Sequence, residues 1–90
     1  MTPAEVRALL LDVLGGIAPE ADLAALDPQE DLREQLEIDS MDLLNFVIRV
    51  HERTGVEIPE IDYPKLTNLE ACTAYVVARL QAQPGEEDQR

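Results

Sequence analysis

Hydrophobic residues recur at spacings of three and four in three separate stretches of the chain, which is the pattern of amphipathic helices. Thr2, Pro3 and Glu5 open the first stretch as a capping box with proline at the first helical position, so a helix begins there. Gly15-Gly16 and Pro19 predict its end near residues 15 to 18. The apolar face of this helix consists of Val6, Leu9, Leu10, Val13, Leu14 and Ile17.

The second stretch is also rich in apolar residues. Asp39 is a good N-cap for it, and Ser40 and Asp42 fall in the first turn, where a negative group meets the positive end of the helix dipole. Gly55, directly after Thr54, predicts the C-terminal stop. The apolar positions form a broad stripe made of Met41, Leu43, Leu44, Val47, Ile48, Val50 and His51.

The third stretch begins with Thr67-Asn68-Leu69-Glu70, which we interpret as a second capping box with Thr67 as the cap. Its predicted buried face consists of Leu69, Cys72, Val76 and Leu80, with Tyr75 nearby. Residues 84–90 are polar, and we expect them to form a disordered tail.

The connections between these helices differ in length. Residues 18–39 lack a sustained helical period and predict a long first loop, with one short helical turn from Glu30 to Leu36. Residues 56–59 are predicted to be extended, and Ile61 to Leu66 can form little more than one helical turn because of Pro64. The sequence therefore predicts an all-α fold, a small four-helix bundle with three main helices and one short helix, spanning residues 1–83.

Composition narrows the possible functions. Ninety residues make one small domain without room for a large active-site cleft, and 19 Asp and Glu against seven Lys and Arg give a net charge of -12. Such a charge repels nucleic acids and anionic membrane surfaces and favours basic patches on other proteins. Cys72 and His51 are the only residues of their types, so neither an internal disulfide nor a zinc cluster is expected. No leader or membrane-spanning run is evident, and we expect a cytoplasmic protein.

The segment around Ser40 resembles a known attachment motif. Leu36-Glu37-Ile38-Asp39-Ser40-Met41-Asp42-Leu43-Leu44 is similar to the site in acyl carrier proteins and peptidyl carriers, where an Asp-Ser pair opens the second helix. The helical layout over residues 2–82 matches as well. The resemblance implies that a phosphopantetheinyl transferase moves 4′-phosphopantetheine from coenzyme A to Ser40. The thiol of that arm would then carry an acyl or aminoacyl group as a thioester.

The resemblance also implies roles for the neighbours of Ser40. Asp39 would serve both as the helix cap and in enzyme recognition. Candidate partner-binding residues are Glu37, Met41, Asp42 and Asn45. The family pattern further implies that Met41 points outward and Leu44 inward. Nine acids against one arginine from Glu20 to Asp42 would present a negative face to basic enzyme surfaces.

Two departures from the family pattern affect the functional interpretation. Glu37 stands where many members have glycine, three residues before the serine. The acids of the second helix, Asp42 and Glu52, are diluted by neutral and basic residues such as Asn45 and Arg49, unlike in carriers of general fatty-acid synthesis. We therefore expect a free-standing carrier of acyl, aryl or aminoacyl groups in a specialised pathway, served by a loading ligase and a downstream synthase or transferase.

Other functions fit the sequence less well. A general fatty-acid carrier and an unmodified acidic interaction module remain alternatives. A calcium loop near Asp27 and Asp31 is disfavoured because Leu32 occupies the position that requires glycine. An independent enzyme is not expected, since one His and one Cys cannot form a catalytic set, and we interpret Cys72 as a core residue rather than a reactive thiol.

Overall fold

The computed structural model describes residues 1–87 and the side chains of residues 1–82, and over that range the chain is helical without strands. Its four α-helices are α1 (Pro3–Ile17), α2 (Leu32–Leu36), α3 (Ser40–Thr54) and α4 (Leu69–Glu87). Two 3₁₀ segments join them, Leu23–Ala25 in the first connection and Glu60–Lys65 before α4. We call the second of these segments the strap. The α1 helix packs against both α3 and α4, which confirms the predicted bundle.

Local hydrogen bonds fix the ends of α1 and α3 as predicted. The backbone N–H of Glu5 donates to Thr2 Oγ1 at 3.1 Å, and that of Thr2 donates to Glu5 Oε1 at 2.8 Å, so the capping box is complete. Gly55 ends α3 in the left-handed conformation at φ 77°, where a side chain would be strained. These ends depend on residues within one turn of each other, which is why the sequence pattern located them.

The core is an aliphatic cluster with one aromatic ring, Phe46, buried at its centre. All three long helices contribute to it, and Leu32 of α2 closes it from the long connection. Cys72 lies in this cluster, as predicted, and its burial raises the pKa of the thiol to about 12. The principal contributions of the long helices are Val6, Leu10 and Leu14 from α1, Phe46, Val47 and Val50 from α3, and Leu69, Cys72 and Val76 from α4.

The buried face of α3 differs from the expected one. Leu44, which was expected to point inward, is 37% exposed, while Phe46 is only 1% exposed. Met41 points outward as expected, and Ile48 is exposed beside it. The stripe of apolar residues on α3 therefore divides between two faces, because so many of its positions are apolar that periodicity alone cannot select the face that packs.

Three further predictions need correction or completion. Asn68, not Thr67, caps α4, since Asn68 Oδ1 accepts the N–H of Ala71 at 2.7 Å. The predicted turn in the first connection is present as α2, but the 3₁₀ segment Leu23–Ala25 was not predicted. The α4 helix continues through Glu87, so residues 84–87 of the expected disordered tail are helical, and residues 88–90 lie outside the described residues.

His51 lies on the exposed side of α3, as expected for a surface histidine. Its Nδ1 atom is 3.0 Å from the carbonyl oxygen of Val56, so the tautomer with a proton on Nδ1 donates a hydrogen bond there. Among the described residues, no group of His, Cys, Asp and Glu has the arrangement of a metal site. Over the same part of the chain, no helix is both long and apolar enough to cross a membrane.

Candidate functional site

Ser40 is the first residue of α3 and is exposed to solvent. It is also the only serine in the chain. Because the residue is exposed, a second protein can reach its hydroxyl. This accessibility is the first requirement for a residue that another enzyme modifies.

The turn before Ser40 is held in a defined shape by a tight helix end. Glu37 adopts the left-handed conformation at φ 54° and ψ 43°, and the N–H of Ile38 donates to the carbonyl of Arg33 at 3.1 Å. This bond spans six residues, as in the Schellman motif. The side chain of Ile38 is buried, so the chain is anchored immediately before the cap of α3.

Glu37 is the only non-glycine residue with a positive φ among residues 1–87. A left-handed backbone is the reason that glycine suits this position, because a Cβ atom there approaches the following carbonyl oxygen. Glu37 adopts this conformation despite its Cβ atom, so the departure from the family pattern does not prevent a left-handed turn before Asp39 and Ser40. It adds conformational strain and an exposed carboxylate close to the site.

A second capping box surrounds the serine. The N–H of Asp42 donates to Asp39 Oδ1 at 2.9 Å, and the N–H of Asp39 donates to Asp42 Oδ2 at 3.3 Å. The hydrogen bond from the Asp42 N–H lowers the pKa of the Asp39 carboxyl below its ordinary value. Asp39 is therefore ionised at neutral pH and is a weak base.

The start of α3 has the chemistry to accept a phosphodiester. A helix leaves its first N–H groups without helical partners, and their dipoles favour a negative charge. The capping box uses the N–H groups of Asp39 and Asp42, and the N–H of Met41 also bonds the Asp39 carboxylate, while that of Ser40 remains outside the box. The residues present at Ser40 thus fit a covalently attached phosphate group.

The predicted partner-binding residues surround Ser40. Glu37, Met41 and Asn45 are exposed, and Asp42 is half-buried at the edge of a groove of about 530 Å³ that lies between residues 17–21 and residues 35–38. Met41 is 63% exposed and Ile48 44% exposed. Together with Leu44, they form an apolar ridge along the outer side of α3, which leads away from the serine.

Charges along α3 divide into an acidic end and a mixed end. Asp39 and Asp42 lie beside Ser40, whereas the second half of the helix carries Arg49 and Arg53 together with one acid, Glu52. Arg53 reaches across to α1, where its guanidinium is 2.9 Å from Asp12 Oδ2. A partner that docks along α3 therefore meets an excess of negative charge only near the serine.

Comparison with known proteins identifies the family to which this site belongs. Residues 4–76 match the family described as phosphopantetheine attachment site. The acyl carrier protein of Rubrobacter xylanophilus is 33% identical over 73 residues, which cover 81% of this chain and 84% of the relative. This chain is a member of the acyl carrier protein family. Its prosthetic group is accordingly 4′-phosphopantetheine.

Other acyl carrier proteins agree with this assignment. That of Helicobacter pylori is 30% identical over 71 residues, covering 77% of this chain and 91% of the relative. The solved structure of the acyl carrier protein from Enterococcus faecalis superposes with a TM-score of 0.69 at 26% identity, covering 88% of this chain and 99% of that one. Acyl carrier proteins are carriers that other enzymes modify and load, which matches the exposed position of Ser40.

Sequence reasoning missed part of the surface near the site. Leu44 and Ile48 were counted with the apolar stripe of α3, but both are exposed. Ile61 of the strap is 84% exposed and was not singled out. The signal that could have identified Leu44 and Ile48 is an excess of apolar positions on α3, more than one buried face of a helix can hold.

Proposed function

We propose that Ser40 is the attachment residue and that this acyl carrier protein works as a free-standing carrier of acyl, aryl or aminoacyl groups in a specialised pathway. The observation that carries the proposal is that the only serine of the chain is exposed at the capped start of α3, within the matched residues 4–76. The hydroxyl oxygen of Ser40 would become the ester oxygen of the phosphodiester. When bound, the arm supplies the thiol that holds the cargo as a thioester.

The residues of this chain position the hydroxyl and do not activate it. Asp39 is the nearest acid in sequence, but it accepts the N–H of Asp42 and its pKa is lowered, so it is a poor base at neutral pH. We therefore assign removal of the Ser40 proton to the phosphopantetheinyl transferase. We propose that the chain itself has no catalytic residue. Its location in the cytoplasm stays a prediction.

The surface of α3 supports a specialised pathway over general fatty-acid synthesis. Its outer side is an apolar ridge with Asn45 between the exposed residues, and its second half carries Arg49 and Arg53. A partner with a uniformly basic docking surface would meet like charge at these arginines, which lowers its association rate. We therefore propose that the loading ligase and the downstream synthase or transferase contact α3 mainly through apolar residues.

The attachment proposal is tested by intact mass. The unmodified protein is incubated with coenzyme A and a broad-specificity phosphopantetheinyl transferase, and we expect the mass to increase by one phosphopantetheine group. Ser40→Ala should lose the modification and keep a melting temperature close to that of the wild type. Thr67→Ala, which removes another exposed hydroxyl before a helix, is the matched control and should be modified normally. A wild-type chain that is never modified would favour the unmodified interaction module.

The pathway proposal needs a separate test with the arm in place. The modified protein is offered to a malonyl transferase of general fatty-acid synthesis and to a panel of acyl, aryl and aminoacyl ligases, and kcat/KM is compared. We expect poor malonyl transfer, improved by Asn45→Glu with Arg49→Glu because these changes extend the acidic surface. Efficient malonyl transfer to the wild type, unchanged in the double variant, would instead support a general fatty-acid carrier.

A further inference from the structure

The strap contains a charged residue that points into the protein. Asp62 is only 8% exposed, and among the described residues it is the one charged residue that is buried. Its Oδ2 atom accepts the Tyr75 hydroxyl at 2.6 Å and the Arg79 guanidinium at 3.0 Å. Lys65 Nζ lies 3.3 Å from the other carboxylate oxygen. Two of these three partners belong to α4, so the carboxylate ties the strap to that helix.

The rest of the strap has one apolar attachment of its own, the side chain of Tyr63, which packs against the core cluster. Asp62 is its only buried residue, Tyr63 is half-buried, and Ile61 is almost fully exposed. The nearest buried apolar residues lie outside the segment, Ile58 before it and Leu66 after it. The strap is therefore a short arch between two apolar anchors, held inward by the buried Asp62 and the half-buried Tyr63.

The partners of Asp62 are themselves held in place. Arg79 stacks over the ring of Tyr75, with its Cζ atom 4.9 Å from the ring centroid. The hydrogen bond from Tyr75 lowers the pKa of Asp62, and both cations act in the same direction, so the carboxylate is charged at neutral pH. Because hydrogen bonds to an ionised group are about twice as strong as neutral ones, this cluster is a strong local tie.

A cavity of about 310 Å³ lies between the strap, Leu43 of α3 and the start of α2, where Asp31 and Arg33 line it. Leu43, Tyr63 and Leu66 form its apolar walls. Leu43 lies in the first turn of α3, three residues after Ser40, so the cavity is close to the end of the bundle that carries the attachment site. Movement of the strap would change the walls of this cavity and the position of Ile61 together.

We infer that Asp62 is a latch that holds the strap closed over this cavity, and that the strap opens as a unit between Ile58 and Leu66 while the helical bundle stays folded. Inside the strap, the N–H of Asp62 bonds the carbonyl of Pro59 and the N–H of Leu66 bonds that of Tyr63, each at 2.9 Å. These bonds join residues three apart, so they can break without disturbing α1 or α3. Segments with few buried apolar contacts open locally at a lower free energy than the core.

Amide hydrogen exchange of the unmodified protein, followed residue by residue by NMR, tests the latch. Asp62→Asn keeps the size of the side chain but removes the charge that holds Arg79 and Lys65. We expect exchange at the Leu66 amide to rise about tenfold or more, with much smaller changes in the middle of α1. Tyr75→Phe removes one hydrogen bond and keeps the ring under Arg79, so it should raise exchange at the same amide by a smaller factor.

Glu60→Gln is the matched control, because it removes one negative charge from an exposed position of the same segment. It should leave exchange at Leu66 unchanged. If Asp62→Asn left the strap as protected as in the wild type, or raised exchange equally in the strap and in α1, the latch would be refuted. The inference concerns the fold alone, so these results do not depend on whether Ser40 is modified.

Discussion

Replacing Glu37 by glycine should stabilise the protein, although glycine usually weakens helical segments. Glu37 holds a left-handed backbone at φ 54°, which costs a residue with a Cβ atom about 1 to 2 kcal/mol. Glycine removes that cost but gives the unfolded chain more conformational freedom, which offsets the gain in stability by about 0.4 to 1 kcal/mol. The net gain in the free energy of unfolding is therefore about 1 kcal/mol, and for a domain of this size the melting temperature should rise by about 4 to 8 °C.

The comparison with alanine separates backbone strain from charge. Glu37→Ala removes the same carboxylate but keeps a Cβ atom, so glycine should exceed alanine by about 1 kcal/mol at this position. Glu34, inside α2, provides the control three residues earlier. There the order should reverse, with alanine more stable than glycine by about 0.5 to 1 kcal/mol.

Urea denaturation followed by circular dichroism measures all four variants under the same conditions. Each free energy is taken from the midpoint and the slope of the transition. Glycine less stable than alanine at Glu37, as at Glu34, would refute the assignment of left-handed strain. Equal gains for Glu37→Gly and Glu37→Ala would instead show that the lost negative charge is responsible, through reduced repulsion in the acidic first connection.

Three further predictions concern the core and the latch. Phe46→Ala should lower the free energy of unfolding by about 3 to 5 kcal/mol, whereas Leu44→Ala should lower it by less than about 1 kcal/mol. Chemical denaturation measures both values, and similar losses would mean that both side chains are buried. Cys72, whose pKa is raised to about 12, should react with a thiol reagent at pH 8 at least about a hundredfold more slowly than a free cysteine, whereas the arm thiol reacts rapidly. Fast labelling of Cys72 in the folded protein would contradict its burial. Asp62 has a lowered pKa, so its contribution to stability is present above its ordinary pKa and is lost as the pH falls through the lower folded value. The difference in stability between the wild type and Asp62→Asn should therefore shrink below about pH 4, and a difference independent of pH would show that the charge of Asp62 does not matter.

Local chemistry was sufficient to predict the ends of two long helices and the place of Ser40, the proposed attachment residue, at the start of α3. Thr2 with Glu5 and Asp39 with Asp42 each form reciprocal hydrogen bonds across three residues. Gly55 ends α3 because of its own backbone freedom. Such features depend on residues within one turn, so the sequence contains all of the information that they need. The place of Ser40 at the start of α3 follows from the same local signals.

The buried face of α3 and the contacts of Asp62 depend on packing between distant segments of the chain. Periodicity could not show whether Leu44 or Phe46 enters the core, since α3 has more apolar residues than one face can bury, and contact with α1 and α4 selects the buried set. Asp62 joins Tyr75 and Arg79 across 13 and 17 residues, a separation that no helical period encodes. The latch and the exposed ridge of α3 therefore arise from tertiary structure, because they depend on which surfaces the folded helices cover.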